Sequence, residues 1–408
     1  MGYRMIYRNI ALFSGFLLFY GLFAGRFEKR WVNGPLMFMM AGLLMGPAVF
    51  DLLEIQVNGE GMRLMAELTL ALVLFTDASK ADFKVLRSYN WIPIRLLLIG
   101  LPLCLLFGWL FGLWLFDGMP WLEAAILATM LAPTDAALGK AVTSNTGVPA
   151  PVREGLNVES GLNDGICVPV LLLLLELLAP QEQHKGTLAL AVHLFVEEIG
   201  IGVLVGVALA FGTSALLKLT ERLGWNMPVW QQLILPGLAV LCFSLAQLLG
   251  GSGFIAAFVG GILTGHLLGA RKEHLLESNE SFSELLSIWV WVVFGASAVA
   301  MAFIHFPWQA WLYALASLTL LRMLPVCLCL AGTAMPIEQR LFIGWFGPRG
   351  LASIVFLLMV SKYPLKQAQL ITATVIATVV LSVLAHGLSA NPWVARFKPS
   401  GGGSDIDG

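Results

Sequence analysis

Three carboxylic acids, Asp135, Glu159 and Asp164, lie in two consecutive apolar stretches of the chain. Three uncharged polar side chains accompany them: Thr134, Ser160 and Asn163. An ionisable side chain is costly to place in a membrane and usually marks the path of an ion or a proton. One such carboxylate is often a misplaced loop residue, whereas three in neighbouring apolar stretches indicate a functional site.

In the second of these stretches, helical spacing shows which polar side chains share a face. Ser160 and Asn163 are three residues apart, and Ser160 and Asp164 are four apart, so the three side chains share one face. Their carboxylate, amide and hydroxyl oxygens are hard ligands that suit a small alkali cation. Glu159 lies about 140° around the helix from Asp164. It is therefore predicted to pair with a buried arginine, and the sequence does not choose between Arg322 and Arg349.

Two apolar stretches contain a proline beside small or polar residues. Pro133 lies in the segment Ala-Pro-Thr-Asp at 132–135, and Pro348 lies in Gly-Pro-Arg-Gly at 347–350. Each proline interrupts a helix in mid-membrane, which exposes facing helix ends that carry about half a charge each. We expect Asp135 to neutralise the positive ends and Arg349 the negative ends. The carbonyl or hydroxyl of Thr134, freed by the break, is expected to reach a cation.

The composition shows which elements must position these side chains. The 408 residues are 58% hydrophobic and 12% charged, with a mean hydropathy of +0.83. Soluble proteins carry about 25% charged residues. This excludes a water-soluble protein, and the net charge of −1 without a long basic tract argues against a nucleic-acid partner. Apolar stretches of the length that crosses a bilayer as a helix recur along the chain. The sequence therefore predicts an all-α polytopic membrane protein in contact with the lipid bilayer.

We expect about thirteen transmembrane helices. The predicted spans run near 6–25, 34–53, 60–77, 90–116, 119–143, 154–179, 187–217, 227–249, 252–269, 284–304, 307–332, 338–360 and 365–388. Spans one to six would match spans eight to thirteen as inverted repeats, with span seven as a connector. The two proline breaks then occupy corresponding places, in spans five and twelve. Paired interrupted helices of this kind point to the binding site of a transporter.

The distribution of positive charge predicts the orientation. Of the 24 Lys and Arg, three lie within spans, 15 lie in the loops after odd-numbered spans or at the C-terminus, and 6 lie on the other side. Cytoplasmic loops carry the excess of positive charge. The N-terminus is therefore predicted outside and the C-terminus in the cytoplasm, with a bacterial inner membrane as the expected location.

The three motifs together resemble those of the monovalent cation/proton antiporter superfamily. They are Ala-Pro-Thr-Asp at 132–135, Glu-Ser-Gly-Leu-Asn-Asp-Gly at 159–165 and Gly-Pro-Arg-Gly-Leu at 347–351. The form Glu-Ser-x-x-Asn-Asp is similar to that of the sodium/proton exchanger branch, which is typically electroneutral. Ala136 is a departure, since many members have proline there, but Pro133 still supplies the break.

The resemblance implies an antiporter fold that works as an elevator and forms a homodimer. It implies that Asp164 carries the exchanged proton or cation, with Asn163 nearby and with Ser160 and Thr134 as further Na⁺ ligands. Asp77, at the end of span three, becomes a candidate gate residue. No cofactor is expected beyond the transported Na⁺ and H⁺.

The same resemblance divides the chain into moving and static parts. Scaffold or dimerisation helices occupy 1–89, and core helices occupy 90–179 and 307–388. A connector helix with further scaffold helices occupies 187–304, and a cytoplasmic tail occupies 389–408.

Three alternatives compete with sodium/proton antiport. An intramembrane aspartyl protease also needs two carboxylates, but it normally uses a Gly-x-Gly-Asp segment that this chain lacks. A channel or a sodium-coupled solute symporter of related fold would need a roomier pocket than the small residues Ala132, Ala136 and Ala137 suggest. Potassium instead of sodium as the exchanged cation stays open, because coordination distances decide it.

Overall fold

The computed structural model of the chain describes residues 2–27, 33–53, 60–80, 92–145, 147–178, 188–225, 227–269, 272–299 and 306–397. Every regular element in these ranges is a helix. In a bilayer the backbone must satisfy its own hydrogen bonds, and a helix does so within one segment. The predicted all-α membrane class is therefore confirmed.

The helices are numbered here in chain order. The first nine are α1 (Gly2–Phe27), α2 (Gly34–Met45), α3 (Glu60–Lys80), α4 (Ile92–Arg95), α5 (Leu101–Leu115), α6 (Trp121–Met130), α7 (Ala136–Thr143), α8 (Ala150–Leu178) and α9 (Leu188–Arg222). The others are α10 (Pro228–Gln231), α11 (Ile234–Leu248), α12 (Gly253–Leu268), α13 (Lys272–Phe294), α14 (Trp308–Leu318), α15 (Leu320–Cys329), α16 (Ile337–Trp345), α17 (Leu351–Val360) and α18 (Ala368–Ala395). Two π-helical turns continue α4 and α13, at Leu96–Gly100 and Gly295–Val299.

Each of the thirteen predicted spans overlaps one of these helices or a consecutive set of them. Within the described ranges, eight helical segments are long and apolar enough to cross a membrane, and four further apolar helices are shorter. The shorter ones include α6 and α17, which are each one half of an interrupted span. The predicted ends near 90, 179, 187 and 304 lie outside the described residues.

Three predicted boundaries are wrong. The tenth span was expected to begin near 284, but α13 begins at Lys272. The second span was expected over 34–53, but α2 ends at Met45, because Gly46 precedes Pro47 and turns to an extended conformation. The last span was expected to end at 388 and to give way to a tail over 389–408, but α18 continues to Ala395 through Pro392. In its last turns Trp393 stacks on Trp345 of α16, with ring centroids 6.0 Å apart. Residues 398–408 lie outside the described part of the chain.

The interruptions in spans five and twelve are present as predicted. The first separates α6 from α7 over 131–135, and the second separates α16 from α17 over 346–350. Pro133 and Pro348 lie within them and lack the N–H that a continuous helix would need. The two breaks cross each other, and α8 and α18 pack beside them.

The helices of the expected scaffold approach one another closely. A Cβ atom at Gly261 or Gly265 of α12 would collide with the backbone of α3 at Phe75 or Ser79. Small residues at helix interfaces are how membrane helices gain close packing. The Ser79 hydroxyl also donates to the carbonyl of Gly261, at 3.0 Å. α3 and α12 therefore pack closely along the part of α3 that carries Asp77.

Candidate ion site

The Asp135 carboxylate connects the two broken spans. Its Oδ1 accepts hydrogen bonds from the N–H groups of Ala137 and Leu138 at the start of α7, at 2.8 and 3.1 Å. Its Oδ2 accepts from the N–H of Leu351, the first residue of α17, at 2.8 Å. The Asp135 N–H donates to the carbonyl of Pro348, at 2.7 Å. One carboxylate thus caps two facing helix N-termini, where a negative charge is favourable.

The Arg349 guanidinium lies against the opposite helix end. It donates to the carbonyls of Ala132 and Pro133, which follow the C-terminus of α6. The Ser353 hydroxyl donates to the carbonyl of Met130, the last residue of α6, at 2.8 Å. Arg349 is 2% exposed. The complementary placement of Asp135 and Arg349 agrees with the expectation from the sequence, while their part in transport stays a prediction.

Glu159 pairs with Arg322. The two guanidinium nitrogens Nη1 and Nη2 donate to the two carboxylate oxygens, at 2.5 and 2.7 Å. Both side chains are at most 2% exposed. Paired, charge-assisted bonds of this geometry are the strong class of ion pair. The structure thus chooses the partner that the sequence left open. A Cβ atom at Gly347 would collide with the same guanidinium, so the break in span twelve accommodates Arg322 through a glycine.

Asn163 and Thr134 meet across spans five and six. The Asn163 amide nitrogen donates to the Thr134 hydroxyl oxygen, at 2.6 Å. The Asn163 carbonyl oxygen, Oδ1, has no hydrogen-bond partner although the residue is fully buried. The Ser160 hydroxyl donates to the carbonyl of Leu156 one turn earlier in α8, at 2.9 Å. The unpartnered amide oxygen of Asn163 and the hydroxyl oxygens of Thr134 and Ser160 therefore lie beside the broken span.

Asp164 lies at the deep end of a cavity of about 410 Å³. Its Oδ1 is buried and has no hydrogen-bond partner. Asp135 and Asp77 also line this cavity, and the exposed end carries Lys80 and Glu280. The lining residues come from helix ends that the charge distribution predicts to be cytoplasmic. The cavity thus connects the Asp164 carboxylate with the predicted cytoplasmic side.

Thr134 and Ser160 line a second, smaller pocket. Asp135, Phe346 and Pro348 are also part of its lining, whereas Asp164 is not. Asp135 is the one predicted site residue that lines both spaces. The expectation that Asp164, Ser160 and Thr134 contribute to one Na⁺ site therefore stays a prediction.

Asp77 faces the cavity from the end of α3. Its Oδ1 is 3.9 Å from the Lys80 Nζ, and the same Nζ is 3.1 Å from a carboxylate oxygen of Glu280 on α13. A Cβ atom at Gly161 of α8 would be 3.3 Å from the Asp77 carbonyl oxygen. Asp77 thus lies where α3 meets the helix that carries Asp164. Its role as a gate stays a prediction.

Sequence reasoning missed two buried polar contacts, one at the start of α18 and one beside Asp77. The Glu123 carboxylate, 1% exposed, accepts from the N–H groups of Lys366 and Gln367 at 2.8 Å each, and so caps the start of α18. The Asn279 amide donates to the Thr76 hydroxyl at 2.6 Å and fixes the residue next to Asp77. For Glu123 the available signal was an acid inside a predicted apolar span, whereas Asn279 lies in the charged stretch before the predicted tenth span and gave no such signal.

Known proteins resemble this chain in sequence and in fold. The family described as sodium/hydrogen exchanger, transmembrane, matches residues 13–396. The K(+)/H(+) antiporter NhaP2 of Shewanella sp. (strain ANA-3) is 23% identical over 80% of this chain and 56% of that protein. The chain therefore spans little more than half the length of this relative. The Na(+)/H(+) antiporter NhaP of Pseudomonas aeruginosa is 26% identical over 80% of each chain.

A solved structure matches over nearly the whole chain. It is the sodium proton antiporter MjNhaP1 from Methanocaldococcus jannaschii at pH 8, with a TM-score of 0.75 and 20% identity. The match covers 97% of this chain and 98% of that one. At 20% identity the structural match establishes the fold, and the family match over residues 13–396 establishes the family. The chain therefore belongs to the transmembrane sodium/hydrogen exchanger family.

Proposed function

We propose that this protein exchanges one monovalent cation, Na⁺, for one proton across a bacterial inner membrane. One observation carries the proposal: the buried Asp164 carboxylate has an oxygen without a hydrogen-bond partner at the deep end of a cavity. A carboxylate in this setting needs a proton or a cation to offset its charge. Either partner can reach it through the cavity, so the two compete for one site.

The neighbouring charges support a one-for-one exchange. Asp135 is held by two helix N-termini, and Glu159 is held by Arg322. Arg349 is held by backbone carbonyls, and Asn163 does not titrate. Asp77 lies 3.9 Å from the Lys80 ammonium nitrogen. Among the predicted site acids, Asp164 is therefore the one whose charge must be met by a proton or a cation during each half-cycle. The loaded site then carries the same charge in both directions, and transport is electroneutral.

Alternating access completes the proposed cycle. With the cavity on the cytoplasmic side, Asp164 releases or takes up its proton there, while Asn163, Ser160 and Thr134 supply oxygens for the cation. The core helices α4–α8 and α14–α18 then move as one body against the scaffold, as the resemblance implies. The proposed assembly is a homodimer through the scaffold, with the N-terminus outside and the C-terminus in the cytoplasm.

The test is exchange by purified protein in liposomes that contain a pH-sensitive dye. A preset pH gradient is challenged with sodium, lithium, potassium or choline chloride. We expect sodium and lithium to collapse the gradient and choline chloride to have no effect. A response to potassium alone would assign the K⁺/H⁺ activity for which the Shewanella relative is named. No response to any of the three cations would refute antiport and favour a sodium-coupled symporter.

The matched control is a pair of neutralised acids in the same cavity. Asp164→Asn is expected to remove exchange, whereas Glu280→Gln at the exposed end is expected to keep it. Glu280 is 49% exposed and pairs with Lys80, so water screens its loss. Equal loss in both variants would show that the general negative charge of the cavity matters, rather than Asp164.

A further inference from the structure

Two buried polar residues of α18 lie against the break in span twelve. Ser382 and His386 are one helical turn apart and at most 1% exposed. The Arg349 N–H donates to the Ser382 hydroxyl oxygen, at 2.6 Å. The same oxygen is 3.2 Å from the His386 Nδ1, and the His386 Nε2 is 2.7 Å from the carbonyl of Trp345. The contacts form one continuous series from Arg349 to Trp345.

The chemistry of these groups decides where the protons lie. The Trp345 carbonyl can only accept, so the His386 Nε2 carries a proton and donates it. In the neutral ring Nδ1 is then an acceptor, and the Ser382 hydroxyl donates to it while accepting from Arg349. Nδ1 also lies 2.9 Å from the Ser382 carbonyl, but two acceptors do not bond. A doubly protonated ring would instead bury a second positive charge near Arg349.

This series joins the two edges of the break. Trp345 is the last residue of α16, and Arg349 lies two residues before the start of α17. The carbonyls that end a helix and the N–H groups that begin one have no partners within the helix. His386 donates to a group of the first kind, the Trp345 carbonyl, which also accepts from the Gly347 N–H at 2.8 Å. Ser382 satisfies an N–H group in the break that follows. Two side chains of a continuous helix thus support the interrupted one.

We propose that Ser382 and His386 are positioning residues for Arg349. By fixing the backbone of the break, they hold the Arg349 guanidinium on the carbonyls of Ala132 and Pro133, next to Thr134. They act on the cation site through the break and do not contact the cation themselves. The inference rests on the proposed function, since it concerns the site where the cation binds.

The first half of the chain supports this assignment by comparison. There Asn163 of α8 contacts Thr134 in the break of span five, just as Ser382 of α18 contacts Arg349 in the break of span twelve. The residue after Asn163 is Asp164, whereas the residue after Ser382 is Val383. The second half therefore keeps the contact that supports the break but has no carboxylate beside it. We infer that Ser382 and His386, the polar residues of the second half, hold the break of span twelve in position.

The test uses four variants in the liposome assay and measures the half-saturating sodium concentration, the maximal rate and the pH profile. Ser382→Ala and His386→Leu remove the series, and His386→Gln keeps an amide donor for Trp345 without a titrating ring. Ser389→Ala is the matched control, because Ser389 also lies on α18 and binds Trp345, but through the indole nitrogen, at 2.9 Å. Melting temperatures accompany each measurement.

We expect Ser382→Ala and His386→Leu to raise the half-saturating sodium concentration about tenfold, which is the order expected when a buried donor or acceptor loses its partner. The maximal rate should change much less. His386→Gln and Ser389→Ala should behave as the wild type, with the same midpoint of the pH profile. A merely structural role would lower melting temperatures without changing the half-saturating concentration of the folded protein.

Three results would overturn the inference. The first is wild-type sodium dependence in Ser382→Ala, which decides the matter if His386→Leu does not fold. The second is a shifted pH midpoint in His386→Gln, which would make His386 a titrating participant. The third concerns the case in which the wild type shows no exchange, so that the proposed function is refuted and only melting temperatures can be compared. In that case, melting temperatures equal to that of the wild type in Ser382→Ala and His386→Leu would show that these contacts do not hold the break in place.

Discussion

Replacement of Glu159 by alanine tests whether this acid stabilises the protein or takes part in transport. Arg322 would remain almost fully buried without its carboxylate, since the two side chains are at most 2% exposed. Removing one partner of a buried ion pair costs about 3–5 kcal/mol. The entropy of unfolding for about 400 residues is roughly 0.9 kcal/mol per degree, so the expected fall in melting temperature is about 3–6 °C.

The assay is thermal unfolding of purified protein in detergent, followed by the loss of the monodisperse peak in size-exclusion chromatography. Glu280→Ala is the matched control, because it removes the same side chain from an exposed pair with Lys80, at 3.1 Å. An exposed pair contributes about 0–1 kcal/mol, so the control should melt within about 1 °C of the wild type.

A double variant separates the loss of the pair from the burial of a charge. Glu159→Leu combined with Arg322→Met replaces both partners by apolar groups, which often restores the stability that one deletion removes. The reasoning would be refuted if Glu159→Ala melted like the wild type but bound the cation differently. Glu159 would then be the transport residue, and Asp164 would be the structural one.

Three further predictions concern the site and its surroundings. Asp164→Asn should abolish proton and cation movement together while the melting temperature stays high, and sodium-driven proton flux in that variant would contradict the assignment. Clamping the membrane at about −100 mV, worth about 2.3 kcal/mol per charge moved, should leave the sodium/proton ratio unchanged, and a changed ratio would implicate Asp135 as a second titrating acid. Glu123→Ala should lower the melting temperature, because the N–H groups at the start of α18 lose their hydrogen-bond acceptor. Glu338→Ala, in the exposed first turn of α16, should not lower it.

The span pattern and the two breaks were accessible from the sequence because their signals are local. The apolar length predicts each helix, and Pro133 and Pro348 predict the two breaks without knowledge of any contact. The spacing of Ser160, Asn163 and Asp164 predicts a shared helix face. A shared face is a property of a single helix, so it can be predicted without knowing what the helix packs against.

Other features were not accessible because they depend on pairs of distant elements. The choice of Arg322 over Arg349 for Glu159 follows from which arginine the packing brings to α8, and spacing along the chain does not encode this. Past 388, Trp393 of α18 stacks on Trp345 of α16, a contact between distant segments that the apolar length of one span does not encode. The separation of Ser160 and Thr134 from the cavity of Asp164 depends on how the two breaks cross.

The shared carboxylate of Asp135 has a consequence for how the protein is made. The Leu351 N–H that it caps lies 216 residues later in the chain, so ribosomal synthesis delivers the two groups at well-separated times. Until the second half has inserted, Asp135 can hold only α7, and the C-terminal end of α6 lacks Arg349. Contacts between distant parts of a chain form late in folding. The crossing is therefore a final step of assembly, and a nascent chain that stops before α17 would be left with an open break for quality-control proteases to recognise.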